Sequence, residues 1–126
     1  LAAGARCATD VTGFGLLGHA SHVARASGVT LWIDAAAVPV LSGAREAWRA
    51  GARTGGAERN EAYLEALVDF GAADVETRAL LVDPQTSGGL LVSLSPDAAE
   101  AYVTRIPAAR IIGEVVPRGP RQIALR

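Results

Sequence analysis

Glycine where a helix should begin is the strongest constraint this chain places on its fold. Gly13, Gly15 and Gly18 fall within Thr9-Asp10-Val11-Thr12-Gly13-Phe14-Gly15-Leu16-Leu17-Gly18-His19. Each glycine in a helix gives up roughly 1 kcal/mol relative to alanine, so three in the opening turns are there for the close approach of another backbone or a ligand. A second stretch has the same logic: Asp83-Pro84-Gln85-Thr86-Ser87-Gly88-Gly89-Leu90-Leu91. In both, a carboxylate and hydroxyls stand beside glycines at the foot of an apolar run. That arrangement presents oxygen ligands to a metal and backbone N–H groups to phosphate without bulk in the way.

Around these two stretches the apolar rhythm lays out alternating elements. Residues 1–8 read as a strand or loop leading to Thr9 and Asp10. Phe14, Leu16, Leu17, Ala20, Val23 and Ala24 recur with helical spacing from Thr12 to Ser27, with Thr12 or Asp10 as N-cap and Gly28 as the stop. Val29 to Asp34 reads as a strand, with Asp34 capping the segment after it. Helices are expected over Gly43–Ala50, Glu58–Leu67 and Val75–Val82, with a glycine-rich loop at 51–56 and a short strand at Val68–Phe70. Gly89–Leu94 is a strand, and Pro96 opens a helix running to about Ile106. Ile111–Val116 and Gln122–Leu125 read as closing strands joined by the turn Pro117-Arg118-Gly119-Pro120. Helices alternating irregularly with strands predict a mixed sheet covered by helices, an α+β domain.

At 126 residues the chain suits one domain and can bury a core without a disulfide. Cys7 stands alone, which excludes a disulfide scaffold and a thiolate zinc cluster and fits a reducing, cytoplasmic setting. All 12 Lys-or-Arg positions are arginine, so a lysine nucleophile or lysine phosphate clamp within these residues is excluded. The net charge of -1 gives no long-range attraction for nucleic acid or an anionic membrane, while leaving room for a local arginine patch in three dimensions. Neither a membrane-spanning run nor a signal peptide is recognisable. The lack of an initiating Met suggests that the chain begins inside a longer polypeptide.

Asp10 has two readings from its neighbours alone: a Mg²⁺ ligand beside a triphosphate, or a helix-capping aspartate with no ligand. Gly13-Phe14-Gly15-Leu16-Leu17-Gly18 has the G-x-G-x-x-G spacing, but no clear strand and tight turn precede it, and it lacks the Gly-Lys-Ser/Thr ending of a Walker loop. The loop 83–89 offers hydrogen bonds from Gln85, Thr86 and Ser87, to a ligand or to one another. In Thr54-Gly55-Gly56-Ala57-Glu58-Arg59-Asn60, Arg59 suits a phosphate and Asn60 suits the backbone, the alternative being a solvent-exposed helix start. His19 and His22 are offset by three with no H-E-x-x-H pattern, so a metal pair is not expected. Cys7 reads as buried and inert.

Taken together, Thr9–His19, Gly55-Gly56 with Asn60, and Asp83–Leu90 resemble the carboxy-terminal half of selenophosphate synthetase (selenide, water dikinase). The likeness continues through Ala24–Gly28, Val38-Pro39 and Ile112–Val115, and so runs over nearly the whole chain. That family falls within the wider group of aminoimidazole ribonucleotide synthetase-like, ATP-using enzymes. The resemblance implies that residues 1–126 form one carboxy-terminal domain, a three-layer α/β/α structure with a mixed sheet, without the amino-terminal domain that forms a homodimer and supplies much of the ATP site. It implies the conversion of ATP, selenide and water to selenophosphate, AMP and phosphate, with selenide arriving free or on a carrier.

By the same resemblance, Asp10 helps hold Mg²⁺ on the ATP phosphates, and Thr9, Asn60, Gln85 and Thr86 are neighbours of that site. The reactive Cys or selenocysteine and its Lys belong to the amino-terminal region, so these residues alone are expected to be inactive. Ala57 stands where relatives usually carry a hydroxyl residue. The rival readings are another ATP-using enzyme of the superfamily and a non-catalytic interaction domain.

Overall fold

The computed structural model describes residues 3–126, so Leu1 and Ala2 of the expected leading segment lie outside the described residues. Eleven elements occur in order: β1 (Cys7–Asp10), α1 (Gly15–Ser27), β2 (Val29–Ile33), α2 (Ala44–Arg49), α3 (Gly55–Leu64), β3 (Val68–Asp69), α4 (Val75–Val82), β4 (Leu90–Ser93), α5 (Pro96–Arg105), β5 (Gly113–Pro117) and β6 (Ile123–Leu125). Strands β3, β6, β2 and β5 make a four-stranded mixed sheet in that order, and β1 and β4 form a separate antiparallel pair. The architecture is the mixed α+β one that the pattern predicted.

The core lies between helices and one face of the larger sheet. Leu17, Ala20 and Ala24 on α1 pack with Leu31 and Ile33 of β2, Leu64 of α3, Val68 of β3, Leu81 and Val82 of α4, and Ile123 and Leu125 of β6. Those positions keep the 3.6 period on α1 and the two-residue period on β2 and β6, so each element contributes one apolar face. Each large aliphatic residue so covered contributes about 2 kcal/mol. Trp32, pointing to the other face of β2, is exposed.

Three local expectations are corrected. The first helix starts at Gly15, not Thr12, and neither Thr12 nor Asp10 caps it: Phe14 holds the N-cap position without a side-chain hydrogen bond. Thr12 is engaged elsewhere. Its hydroxyl lies 3.0 Å from His19 Nε2, and its carbonyl accepts from the N–H groups of Gly15 and Gln85. Asp10 belongs to β1, opposite Leu90. Gly28 does end the helix, in the left-handed conformation at φ 67°.

Next, α3 begins at Gly55, ahead of the expected Glu58, because the Thr54 hydroxyl accepts from Ala57 N–H as an N-cap. Asp34 does cap the segment after β2: its carboxylate accepts from Ala36 N–H (2.9 Å) at the head of a turn.

The third correction concerns the last two strands, which do not pair with each other. β2 lies between them, antiparallel to β5 and parallel to β6. The connecting residues therefore step across two strand spacings, roughly 10 Å, too wide for a tight turn. Thr30 pins the crossing: its buried hydroxyl donates to Arg121 C=O (2.7 Å) and accepts from Gly119 N–H (2.8 Å).

Helices α2 and α4 are joined electrostatically. Arg49 Nε donates to Glu76 Oε2 (2.6 Å) and Arg45 Nη1 to Glu76 Oε1 (2.8 Å). The Arg49 guanidinium first, and then that of Arg45, hold the Glu76 carboxyl below the usual carboxylate range. A depressed folded-state value stabilises the native state above the unfolded glutamate pKa of about 4.3, and that contribution is lost as pH falls toward the folded value. Thermal melts from pH 7 to pH 3 are expected to show Glu76→Gln melting below the parent at pH 7, with the gap closing below about pH 4. A gap constant over that range would mean that the pair does not stabilise the fold.

Candidate functional site

Antiparallel pairing of β1 with β4 sets the geometry of the site. With Thr9 opposite Leu91 and Asp10 opposite Leu90, the segments that leave these strands, 11–14 and 83–89, run side by side. Val11 N–H donates to Gly89 C=O (2.9 Å), and Gln85 N–H donates to Thr12 C=O (3.1 Å). Gly88 lies against Val11 C=O so closely that a Cβ has no room, and a Cβ on Gly56 would meet Pro84 Cγ at 2.5 Å. Of the three glycines at the start of the first helix expected to serve close approach of another backbone or a ligand, Gly15 does, against the Val82 backbone; a Cβ on Gly18 would meet only the Phe14 side chain of the same turn, and at Gly13 a Cβ would meet nothing within 4 Å.

The third glycine loop joins the same cluster. Thr54 Oγ1 donates to Asp83 Oδ1 (2.9 Å) while accepting from Ala57 N–H, so one hydroxyl ties the start of α3 to the second motif. Buried Asn60 sits beneath. Its Nδ2 donates both to Gly13 C=O (3.0 Å) and to Val82 C=O (2.9 Å), bridging the two glycine motifs. Both amide protons of Asn60 are thereby engaged by protein.

The remaining expected residues line the surface of this assembly. Asp10 is exposed at the end of β1, and its carboxylate takes no hydrogen bond or ion pair among the described residues. Thr9 is half-buried, with its hydroxyl donating to Asp10 C=O (3.1 Å). Gln85 is half-buried and its amide reaches Asp83 C=O at 3.5 Å, a weak contact; Thr86 is exposed. Asp10 and the 83–89 loop are thus adjacent, with Asn60 acting from below. Leu90, 71% exposed, lies across the strand pair from Asp10.

The test for a divalent cation is the donor set. Asp10 supplies one hard, unpaired oxygen donor of the kind Mg²⁺ prefers, and Mg²⁺ commonly takes only one or two carboxylates with phosphate and water completing its shell. Among the described residues no group of three or more His, Cys, Asp or Glu is placed to hold an ion. Asp10 therefore fits a contributing ligand and not a whole metal cage.

Two features of the site escape a reading along the sequence. Phe14, His19 and His22 cluster their rings at 5.4–6.3 Å, and Tyr63 of α3 approaches His22 at 6.4 Å. The spacing of His19 and His22 near one helical face is visible in the sequence, but the contributions of Phe14 and Tyr63 are not. The role of Asp83 as acceptor for Thr54 is likewise invisible, since the partner lies in another loop.

Comparison with known proteins identifies the family. Residues 1–125 match the family described as AIR synthase related protein, C-terminal domain. The chain is 41% identical over 128 residues to the selenide, water dikinase of Caldanaerobacter subterraneus subsp. tengcongensis, covering 98% of this chain and 37% of that protein. It is 46% identical over 123 residues to that of Shigella flexneri, covering 94% and 35%. The match to the Clostridioides difficile protein of the same name is 41% over 123 residues, covering 93% and 35%. The chain thus spans about a third of the length of the curated relatives it matches.

Proposed function

Since the chain belongs to the AIR synthase related C-terminal domain family, we propose that it is the carboxy-terminal domain of a cytoplasmic selenophosphate synthetase and contributes part of that enzyme's Mg·ATP site. The reaction consumes ATP, selenide and water and yields selenophosphate, AMP and phosphate. The observation that carries this reading is the unpaired, exposed carboxylate of Asp10 at the rim of three loops locked together by Asn60, Thr54 and the glycine contacts.

Mg²⁺, when bound, neutralises phosphoryl charge. This chain's part is positional. Asp10 offers one oxygen to the ion, and the loop bearing Gln85 and Thr86 stands beside it with amide and hydroxyl groups suited to phosphate oxygens. Thr9 fixes the backbone next to Asp10. Asn60 acts as a positioning residue, because its amide holds Gly13 and Val82 and so sets the distance between the loops. A rigid frame of this sort keeps a single carboxylate in place without reorganisation during phosphoryl transfer.

One exposed carboxylate cannot assemble the remaining ligands, so the reading includes an amino-terminal domain in the same polypeptide, a homodimer formed through it, and selenide delivered free or by a carrier. Residues 1–126 alone are expected to make no selenophosphate. The deciding test is selenophosphate formation monitored by phosphorus NMR with the full-length protein and its Asp10→Asn variant. Product from the parent and a loss of at least about 100-fold in the variant are expected, in line with several kcal/mol from metal stabilisation of transition-state charge. No product from folded, Mg²⁺-supplied parent protein would overturn the assignment, and an undiminished variant would remove Asp10 from the metal site.

A further inference from the structure

The far end of α1 carries a second concentration of charge, of the opposite sign. Arg25 in the last turn of α1 and Arg118 and Arg121 of the β5–β6 crossing line a concavity of about 190 Å³, together with Leu67, Gly119 and Gln122. No carboxylate is among its lining residues, and none of the three arginines makes an ion pair among the described residues. Gly15 and Arg25 are ten positions apart on one helix, so this concavity lies roughly 15 Å along the axis from the glycine loops, at the opposite end of the helix.

The backbone beneath these arginines is braced. Thr30 grips Gly119 and Arg121 from below, Gln122 N–H donates to Leu67 C=O (2.9 Å), and the Arg121 guanidinium donates to Ala66 C=O. A crossing this well tied keeps Arg118 and Arg121 side by side against mutual repulsion. For a chain of net charge -1, three guanidinia without a carboxylate partner around one hollow make a local positive excess suited to an anion.

We propose that this concavity is a binding site for a small, multiply charged oxyanion of the phosphate or diphosphate kind, separate from the Asp10 site. Its volume is below the several hundred Å³ of a nucleotide-sized pocket and suits one or two phosphoryl groups. Planar guanidinium forks supply paired N–H donors to tetrahedral oxyanions, and no aromatic ring lines the hollow for a base to stack upon.

The test is equilibrium dialysis of radiolabelled pyrophosphate against the full-length protein in metal-free buffer of low ionic strength, where a Mg²⁺-dependent site does not load. The parent is expected to bind one equivalent saturably, and an Arg25→Gln/Arg118→Gln double variant to bind at least tenfold more weakly. Neither side chain makes a hydrogen bond or ion pair in the described residues, so the double variant should melt with the parent. An Arg105→Gln/Arg110→Gln variant removes the same charge elsewhere and is expected to bind like the parent. Equal weakening in both double variants, unsaturable uptake by the parent, or unaltered binding by the Arg25/Arg118 variant would overturn the site.

Discussion

Gly15→Ala is expected to destabilise the chain by about 4 kcal/mol, although it exchanges the poorest ordinary helix former for the best. Gly15 opens α1 at φ 64°, and a Cβ there would stand 2.5 Å from the Val82 carbonyl carbon. The left-handed backbone adds roughly 1–2 kcal/mol for an L side chain, and forcing the ends of α1 and α4 apart adds roughly 1–3 kcal/mol more. In urea the midpoint should fall by about 2 M for a slope near 2 kcal/mol/M. Gly28→Ala is the matched control: its φ is 67°, but a Cβ there meets nothing within 4 Å. It should lose only about 1 kcal/mol. Similar losses at the two positions would show that the contact with Val82 is not the determinant.

Asn60→Ala should lose about 3 kcal/mol without any ligand present. Removing the amide leaves the carbonyls of Gly13 and Val82 without that donor, and stranding a buried polar group costs roughly 1–3 kcal/mol each. Asn60→Asp is expected to be at least as damaging, because an acceptor would then face two acceptors. The readout is urea unfolding combined with ATP binding: the positioning role requires stability to fall in the absence of ATP. An Asn60→Asp protein as stable as the parent, with ATP binding alone impaired, would reassign Asn60 to direct ligand contact.

Asn60 also shows where reading along a sequence stops. Its place in a polar glycine loop singles it out, and backbone holding is one of its readings. What it holds lies 47 and 22 positions away, and nothing in the neighbouring residues encodes that. Local pattern locates the helices and the strands after β1 to within a few residues, because burial of one face is a local property, whereas residues 1–8 read only as a strand or loop and β1 runs on through Asp10. Thr12 looks like the N-cap of α1 until His19 and Gln85 are seen to occupy it. For Asp10, the β1–β4 ladder removes the capping alternative that the sequence left open, and leaves its carboxylate unengaged.

The sheet is legible as mixed but not in its order. Strand β2 reads as an ordinary short apolar run, and its partners are chosen by a crossing whose decisive bonds come from Thr30, a residue that is itself inconspicuous. The arginine concavity has the same origin. Arg25 and Arg118 are far apart in the chain, and only the crossing brings them to one hollow.

That crossing also governs when the domain can form. Leu31 lies beside Ile123, and the final strand β6 is an inner strand, flanked by β2 on one side and β3 on the other. A ribosome-bound chain that has already made α1, β2, α3 and β3 therefore holds their apolar faces around an empty slot, because Ile123 and Leu125 are still inside the exit tunnel. Closing so long a loop late makes assembly slow relative to a domain built from neighbours, and keeps the unfilled sheet exposed to mispairing until translation has passed residue 125.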